Sequence, residues 1–138
     1  MSKKALITIA VILTALAGCK KTDDASKWAG TYIECGCGLY PNTFYRLIVR
    51  EKDRNTLSIE ADTTTGPSSA PYITYVTLQN VALQGATTAS FSEYDTIAGN
   101  SHLFQFSGTA TLNGSSITLQ GTGVNSNDTL HFYFFGLL

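Results

Sequence analysis

The sequence predicts an all-β domain of about eight antiparallel strands, closed as a barrel, with a two-sheet β-sandwich as the alternative. Three observations carry this expectation. All 15 aromatic residues and 28 Ser and Thr follow residue 18, while the whole chain holds only 3 Pro. This mixture of β-branched and aromatic residues favours strands over a helical bundle or a disordered chain. Apolar and polar residues alternate in runs of strand length. Short turn signals separate those runs, and no stretch outside the first residues has convincing helical periodicity.

The elements follow in order. Trp28 to Glu34 is a first strand candidate. In Phe44 to Arg50, Tyr45, Leu47 and Val49 face one way and Phe44, Arg46, Ile48 and Arg50 the other. The charged run Glu51 to Asn55 makes a turn. Leu57, Ile59 and Ala61 then continue the inward face, and Ser58, Glu60 and Asp62 are expected in water. Thr63 to Ser69 reads as a long flexible loop. Tyr72 to Leu78 is β-rich, Asn80 to Gly85 extends it past a bend, and Ala89 to Tyr94 is a weaker strand. Leu103 to Leu112 and Ser116 to Val124 flank Asn113-Gly114, the best hairpin signal, since both residues tolerate positive φ. Asn125 to Asp128 turns into Leu130 to Phe135. Phe132-Tyr133-Phe134-Phe135 resembles the terminal strand of an outer-membrane barrel, but most other runs are too short or too polar on both faces for one.

The first residues are of a different kind. Lys3 and Lys4 precede Ala5 to Leu16, twelve uncharged residues. As a helix that is about 18 Å, short of the roughly 30 Å hydrocarbon core, so a secretory leader fits better than a span. Leu16-Ala17-Gly18-Cys19 resembles the lipobox of bacterial lipoproteins at all four positions. The resemblance implies cleavage after Gly18 and lipid on Cys19, which would tie the protein to a membrane. The expected organisation is a cleaved signal peptide over 1–18, a lipidated polar tether over 19–27 and a single all-β domain over 28–138. Position 20 is Lys rather than the Asp that marks inner-membrane retention in enteric bacteria, which implies an outer-membrane location. Lys21 followed by Asp23 and Asp24 is also similar to the surface-export signal of some Bacteroidetes lipoproteins; a solvated spacer explains the same residues, so the periplasmic and surface faces both stand.

Trp28-Ala29-Gly30-Thr31-Tyr32 and the succession of hairpins to the C-terminus resemble the small lipocalin-like domains of bacterial lipoproteins. Lipocalins proper place glycine ahead of that tryptophan, whereas here Trp28 precedes Gly30. The resemblance implies a barrel that binds a small apolar ligand or a protein partner, without enzymatic activity.

Charge excludes one class of partner. The chain carries 9 basic and 10 acidic residues, a net charge of −1, which becomes −3 without the leader. No basic excess exists for nucleic acid.

Candidate chemistry is sparse. Cys35-Gly36-Cys37 places two thiols at i and i+2, on one side of a strand and about 6.5 Å apart between Cα atoms if extended. That is the upper edge of disulfide geometry. Three readings stand: a local disulfide, two thiols without a role, or a redox or soft-metal pair. His102 and His131 are expected to be ordinary surface or core-edge residues; Asp128 lies three residues before His131, but no Gly-x-Ser-x-Gly elbow accompanies them. Glu51/Asp53 and Glu60/Asp62 are expected as solvated faces, and Glu93/Asp95, beside Phe91 and Tyr94, as either that or a sugar- or cation-binding pair. Tyr32, Tyr40, Tyr45, Tyr72, Tyr75, Tyr94 and Tyr133 divide between core and pocket rim in a way the sequence does not sort. No catalytic set, metal site or cofactor motif is read. The functional alternatives are a ligand-binding barrel, a structural or interaction lipoprotein acting through Asn42, Thr63–Ser69 and Asp95–Ser101, and a redox or metal protein using Cys35 and Cys37.

Overall fold

A computed structural model of the chain describes residues 24–34, 43–65, 71–99 and 101–138. The leader, Cys19, Cys35, Cys37, Tyr40, Asn42, the 66–69 part of the expected Thr63–Ser69 loop and Asn100 lie outside the described residues. Eight strands form a closed antiparallel barrel in sequence order: β1 (Gly30–Glu34), β2 (Thr43–Asp53), β3 (Thr56–Thr65), β4 (Ile73–Leu83), β5 (Thr88–Thr96), β6 (Leu103–Asn113), β7 (Ser116–Val124) and β8 (Thr129–Leu137). Closure decides for the barrel over the sandwich.

Several boundaries differ from the sequence expectation, each for a local reason. Trp28 is not in β1; it ends a single 3₁₀ turn, Ala25–Trp28, whose N-cap Asp24 accepts the Ser26 N–H. The Ala25 N–H donates to the Arg54 carbonyl, which holds this turn against the β2–β3 hairpin. Both Ala25 and Trp28 are wholly buried, and the Tyr32 hydroxyl donates to the Trp28 carbonyl at 3.0 Å. Burial raises the Tyr32 pKa above its ordinary value. Strand β2 runs through the charged residues to Asp53, so the turn shrinks to Arg54-Asn55. Thr63 to Thr65, expected in a loop, belong to β3. The two runs from Tyr72 to Gly85 form one strand, β4, and its pairing with β3 shifts register between Leu57 and Ile59 and again between Ala61 and Asp62. In the β6–β7 hairpin Asn113 pairs with Ser116, so the loop is Gly114-Ser115, with Gly114 at φ +59°. A left-handed residue at that position is what a two-residue hairpin asks of glycine.

Strand alternation sorts the side chains. The inward set includes Leu47, Val49, Leu57, Ile59, Leu78, Val81, Phe91, Phe104, Phe106, Ala110, Ile117, Leu119 and Phe134. Fully burying each large apolar side chain contributes about 1.5–3 kcal/mol. Outward positions carry mostly Thr, Ser, Gln and charged residues. A membrane-spanning barrel has the reverse pattern, an apolar outer band.

An eight-stranded barrel has an interior that side chains can just fill. Here Phe91 stacks on Phe132 with centroids 6.1 Å apart, Phe106 meets Phe132 at 6.2 Å, and Phe104 meets Phe106 at 6.0 Å. Glycines on β6 and β7 make room for these rings. A Cβ at Gly108 would overlap the Gln120 carbonyl oxygen and lie 2.7 Å from Phe91, and one at Gly123 would lie 2.7 Å from the Phe106 ring.

Candidate functional site at the open rim of the barrel

The up-and-down topology sends alternate connections to opposite ends. One end holds the Ala25–Trp28 turn, the β2–β3 and β6–β7 turns, the residues between β4 and β5, and Leu138, whose N–H donates to Ser115. Call this the closed end. The last residues of β3, β5 and β7 and the first of β4, β6 and β8 lie at the other end, the rim. Two cavities stand out, both open to solvent, and both lie at the rim.

The first is a cleft of about 500 Å³ lined by Tyr94, His102, Leu103, Gln105, Val124, Asn125 and Ser126. Strand register explains the grouping. Tyr94 pairs with Gln105, Gln105 with Val124, and Val124 with Thr129, so one row of outward residues crosses β5 to β8. Tyr94 is 64% exposed and Leu103 56%. Asn125 shapes the β7–β8 turn: its Oδ1 accepts the N–H groups of Asn127 and Asp128, each at 2.8 Å, leaving the side-chain NH₂ as its available donor. No Lys, Arg, Asp or Glu lines it.

The second cavity, about 610 Å³, spans β4 and the end of β5, from Thr74–Thr77 to Asp95–Gly99 and Ser101. It sits on a seam. Strands β4 and β5 pair through backbone only at Ala82–Ser90 and Leu83–Ala89. Continuing that register puts Gln79 opposite Glu93 and Thr77 opposite Asp95. The backbones have separated there, and side-chain carboxylates fill the place of carbonyls. Glu93 accepts the Gln79 N–H at 2.9 Å through Oε2 and the Asn80 N–H at 3.0 Å through Oε1. Asp95 accepts the Thr77 N–H at 3.3 Å through Oδ2. Further on, the Ala98 N–H donates to the Tyr75 carbonyl at 2.9 Å. A strand edge left unpaired would expose these donors, so the carboxylates act as its satisfaction.

The remaining sequence candidates separate cleanly. Glu51 and Asp53 are exposed, as expected, and Asp53 accepts the Asn55 N–H at 2.9 Å, which lowers its pKa below the ordinary value. Asp62 departs from its solvated expectation: it is 2% exposed. Its Oδ2 accepts from Arg46 Nε at 2.7 Å, and that guanidinium lies 4.2 Å from the Tyr72 ring centroid, which covers the pair. Glu60 accepts from Arg50 at 2.8 Å, and this bond is the main cause of its lowered pKa. His131 sits outward opposite Thr122 on β7, and His102 lines the first cleft. Asp128 is committed to the Thr129 N–H at 2.8 Å. Among the tyrosines, Tyr32 is core, Tyr45 packs partly against it, Tyr72 covers Arg46, and Tyr75, Tyr94 and Tyr133 are exposed. Among the described residues no group of three or more His, Cys, Asp or Glu is placed to hold a metal ion. No helix among them is long and apolar enough to cross a membrane.

The sequence reading missed the cleft as a unit. Its residues come from β5, β6, β7 and two connections, and only register assembles them. Comparison with known proteins adds no relative: no protein-family model, curated protein or solved structure matches the chain.

Proposed function

We propose that the chain is an outer-membrane lipoprotein held by lipid on Cys19, and that its barrel is a non-enzymatic binding module working at the rim. The observation that carries the second half is that two open cavities lie at the rim, while aromatic side chains pack against one another in the core. This reading keeps the lipocalin-like expectation of a small ligand or a protein partner and places the contact at the rim.

The anchor and the rim fit one another. Asp24, the first described residue, lies at the closed end beside the β2–β3 hairpin. Five residue steps separate it from Cys19, a reach of at most about 18 Å. A lipid on Cys19 therefore keeps the closed end within that reach of the bilayer and leaves the rim able to extend away from it. Strands of about ten residues, tilted as in barrels of this size, set the rim roughly 25 Å further out.

Two measurements test this. Palmitate incorporation into the wild-type chain, lost in Cys19→Ser, is the expected result for the anchor; incorporation surviving the substitution overturns it. For the working face, photo-crosslinking residues at Ser126 and at Ser115 are compared in intact envelopes. Discrete adducts from Ser126 and none from Ser115 are expected. The opposite pattern would sink the rim assignment.

A further inference from the structure

The rim cleft lies on a face with an unusual chemical bias. No Lys or Arg follows Arg54, and from Thr96 to Leu138 the only charged side chain is Asp128. The register turns this into a surface. Below the row Tyr94–Gln105–Val124–Thr129 lies Ser92–Ser107–Thr122–His131, and below that Ser90–Thr109–Gln120–Tyr133. Across three strand spacings, roughly 14 Å, these outward rows hold no Lys, Arg, Asp or Glu; polar side chains that donate or accept predominate, with two exposed tyrosines and Val124 among them. Tyr133 is 67% exposed, close to the value for Tyr94.

We infer that this face, entered through the Tyr94 cleft, binds an uncharged carbohydrate chain. The inference rests on the binding role proposed above and names its ligand class. Four features of the cleft agree on it. The exposed ring of Tyr94 offers a flat apolar surface of the kind the C–H face of a pyranose packs against. Gln105, Asn125 and Ser126 are neutral groups that suit hydroxyls, which both donate and accept. An anionic ligand finds no cationic side chain of Lys or Arg on this face, and desolvating an unpaired charge is costly. A fatty acid meets the same obstacle at its carboxylate, and only Leu103 and Val124 provide aliphatic wall. The width of the neutral face suits several linked sugars better than one.

The test uses the full-length chain, solubilised in detergent, in native gels containing laminarin, mannan, xylan or dextran, with polygalacturonate as the acidic control. At least one neutral polymer is expected to retard the protein. Tyr94→Ala is expected to weaken that retardation at least tenfold, and Gln105→Ala to weaken it severalfold. Both side chains are exposed, and far-ultraviolet circular dichroism checks that the barrel is intact. No retardation by any of the four neutral polymers overturns the inference, as does retardation that Tyr94→Ala leaves unchanged or retardation by polygalacturonate alone. Envelope crosslinks from Ser126 to a protein, with no polymer retardation, would remove the carbohydrate while leaving the rim as the working face. Crosslinks from Ser115 alone would remove the rim itself.

Discussion

The barrel is two unlike halves joined by two thin seams. Strands β1–β4 and β5–β8 meet through two backbone pairs at β4–β5 and two at β1–β8, where Ile33 faces Leu137 and Glu34 faces Gly136. Inside the first half the core is mostly aliphatic, with Leu47, Val49, Leu57, Ile59, Leu78 and Val81 around Trp28 and Tyr32, and the outside carries the ion pairs Arg46–Asp62 and Arg50–Glu60. Inside the second half phenylalanines lie on glycines, and the outside is neutral. Pairing follows the same division. The ladders β5–β6, β6–β7 and β7–β8 run without a register shift, whereas β2–β3 and β3–β4 are interrupted. The first half meets water with charges on a bulged sheet. The second presents a regular sheet whose uncharged outer face is free to be used.

The contrast can be broken hardest from inside the second half. Gly108→Ala places a methyl group against the Gln120 carbonyl and 2.7 Å from Phe91, with backbone on one side and a packed ring on the other. A loss of about 3 kcal/mol is expected in urea unfolding followed by circular dichroism. Gly85→Ala, whose Cβ meets only Thr88 Oγ1 at 3.4 Å, is the control and is expected to stay within about 0.5 kcal/mol. Equal effects at the two positions would show that glycine is not making room for the rings.

The seam comes next. Glu93→Ala removes the acceptor of two β4 N–H groups and is expected to cost about 2 kcal/mol. Amide exchange locates the effect: Gln79 and Asn80 should lose protection, while Gln105 and Ser107, inside the continuous β6 ladders, keep theirs. Exchange rising equally in both places would mean that the halves do not open separately.

The smallest effect belongs to the charged exterior. Arg50 holds the Glu60 pKa below its ordinary value of 4.5. A carboxylate lowered on folding contributes stability above its unfolded pKa and loses it as pH falls through the folded value. Glu60→Gln should therefore cost up to about 1 kcal/mol at pH 7, given the partial exposure of both partners, and the difference should vanish in acid below the carboxylate range. A difference that persists there would assign the effect to packing. No equivalent pH dependence is expected from substitutions on the outer face of β6 or β7, which carries no carboxylate.

Much of this architecture was legible as pattern. Leu47, Val49, Leu57 and Ile59 announce an inward face because alternation is local, and Asn113-Gly114 announces a hairpin because turn chemistry is local; even there the strand pairing claimed Asn113 and moved the loop one residue on. Trp28 was misplaced because a short apolar run does not distinguish a strand from a buried 3₁₀ turn. Asp62 was expected in water because its neighbours in sequence are polar, but Arg46 and Tyr72, sixteen residues before it and ten after, take it out of solvent. The Glu93/Asp95 pair was visible, while its role was not, since that depends on how far β4 stands from β5.

By itself the sequence determined the all-β class, the approximate number of strands and the inward face of Leu47, Val49, Leu57 and Ile59, because hydrophobic alternation and turn propensities act within a few residues. It also carries the lipobox-like segment from which the anchor at Cys19 is proposed. The tertiary structure alone decided closure into a ring, the filling of its interior, the carboxylate-bridged seam and the gathering of Tyr94, Gln105 and Val124 into one cleft. Closure joins the first strand to the last, while the seam and the cleft follow from the register of consecutive strands, and register is fixed where one face of each strand is buried.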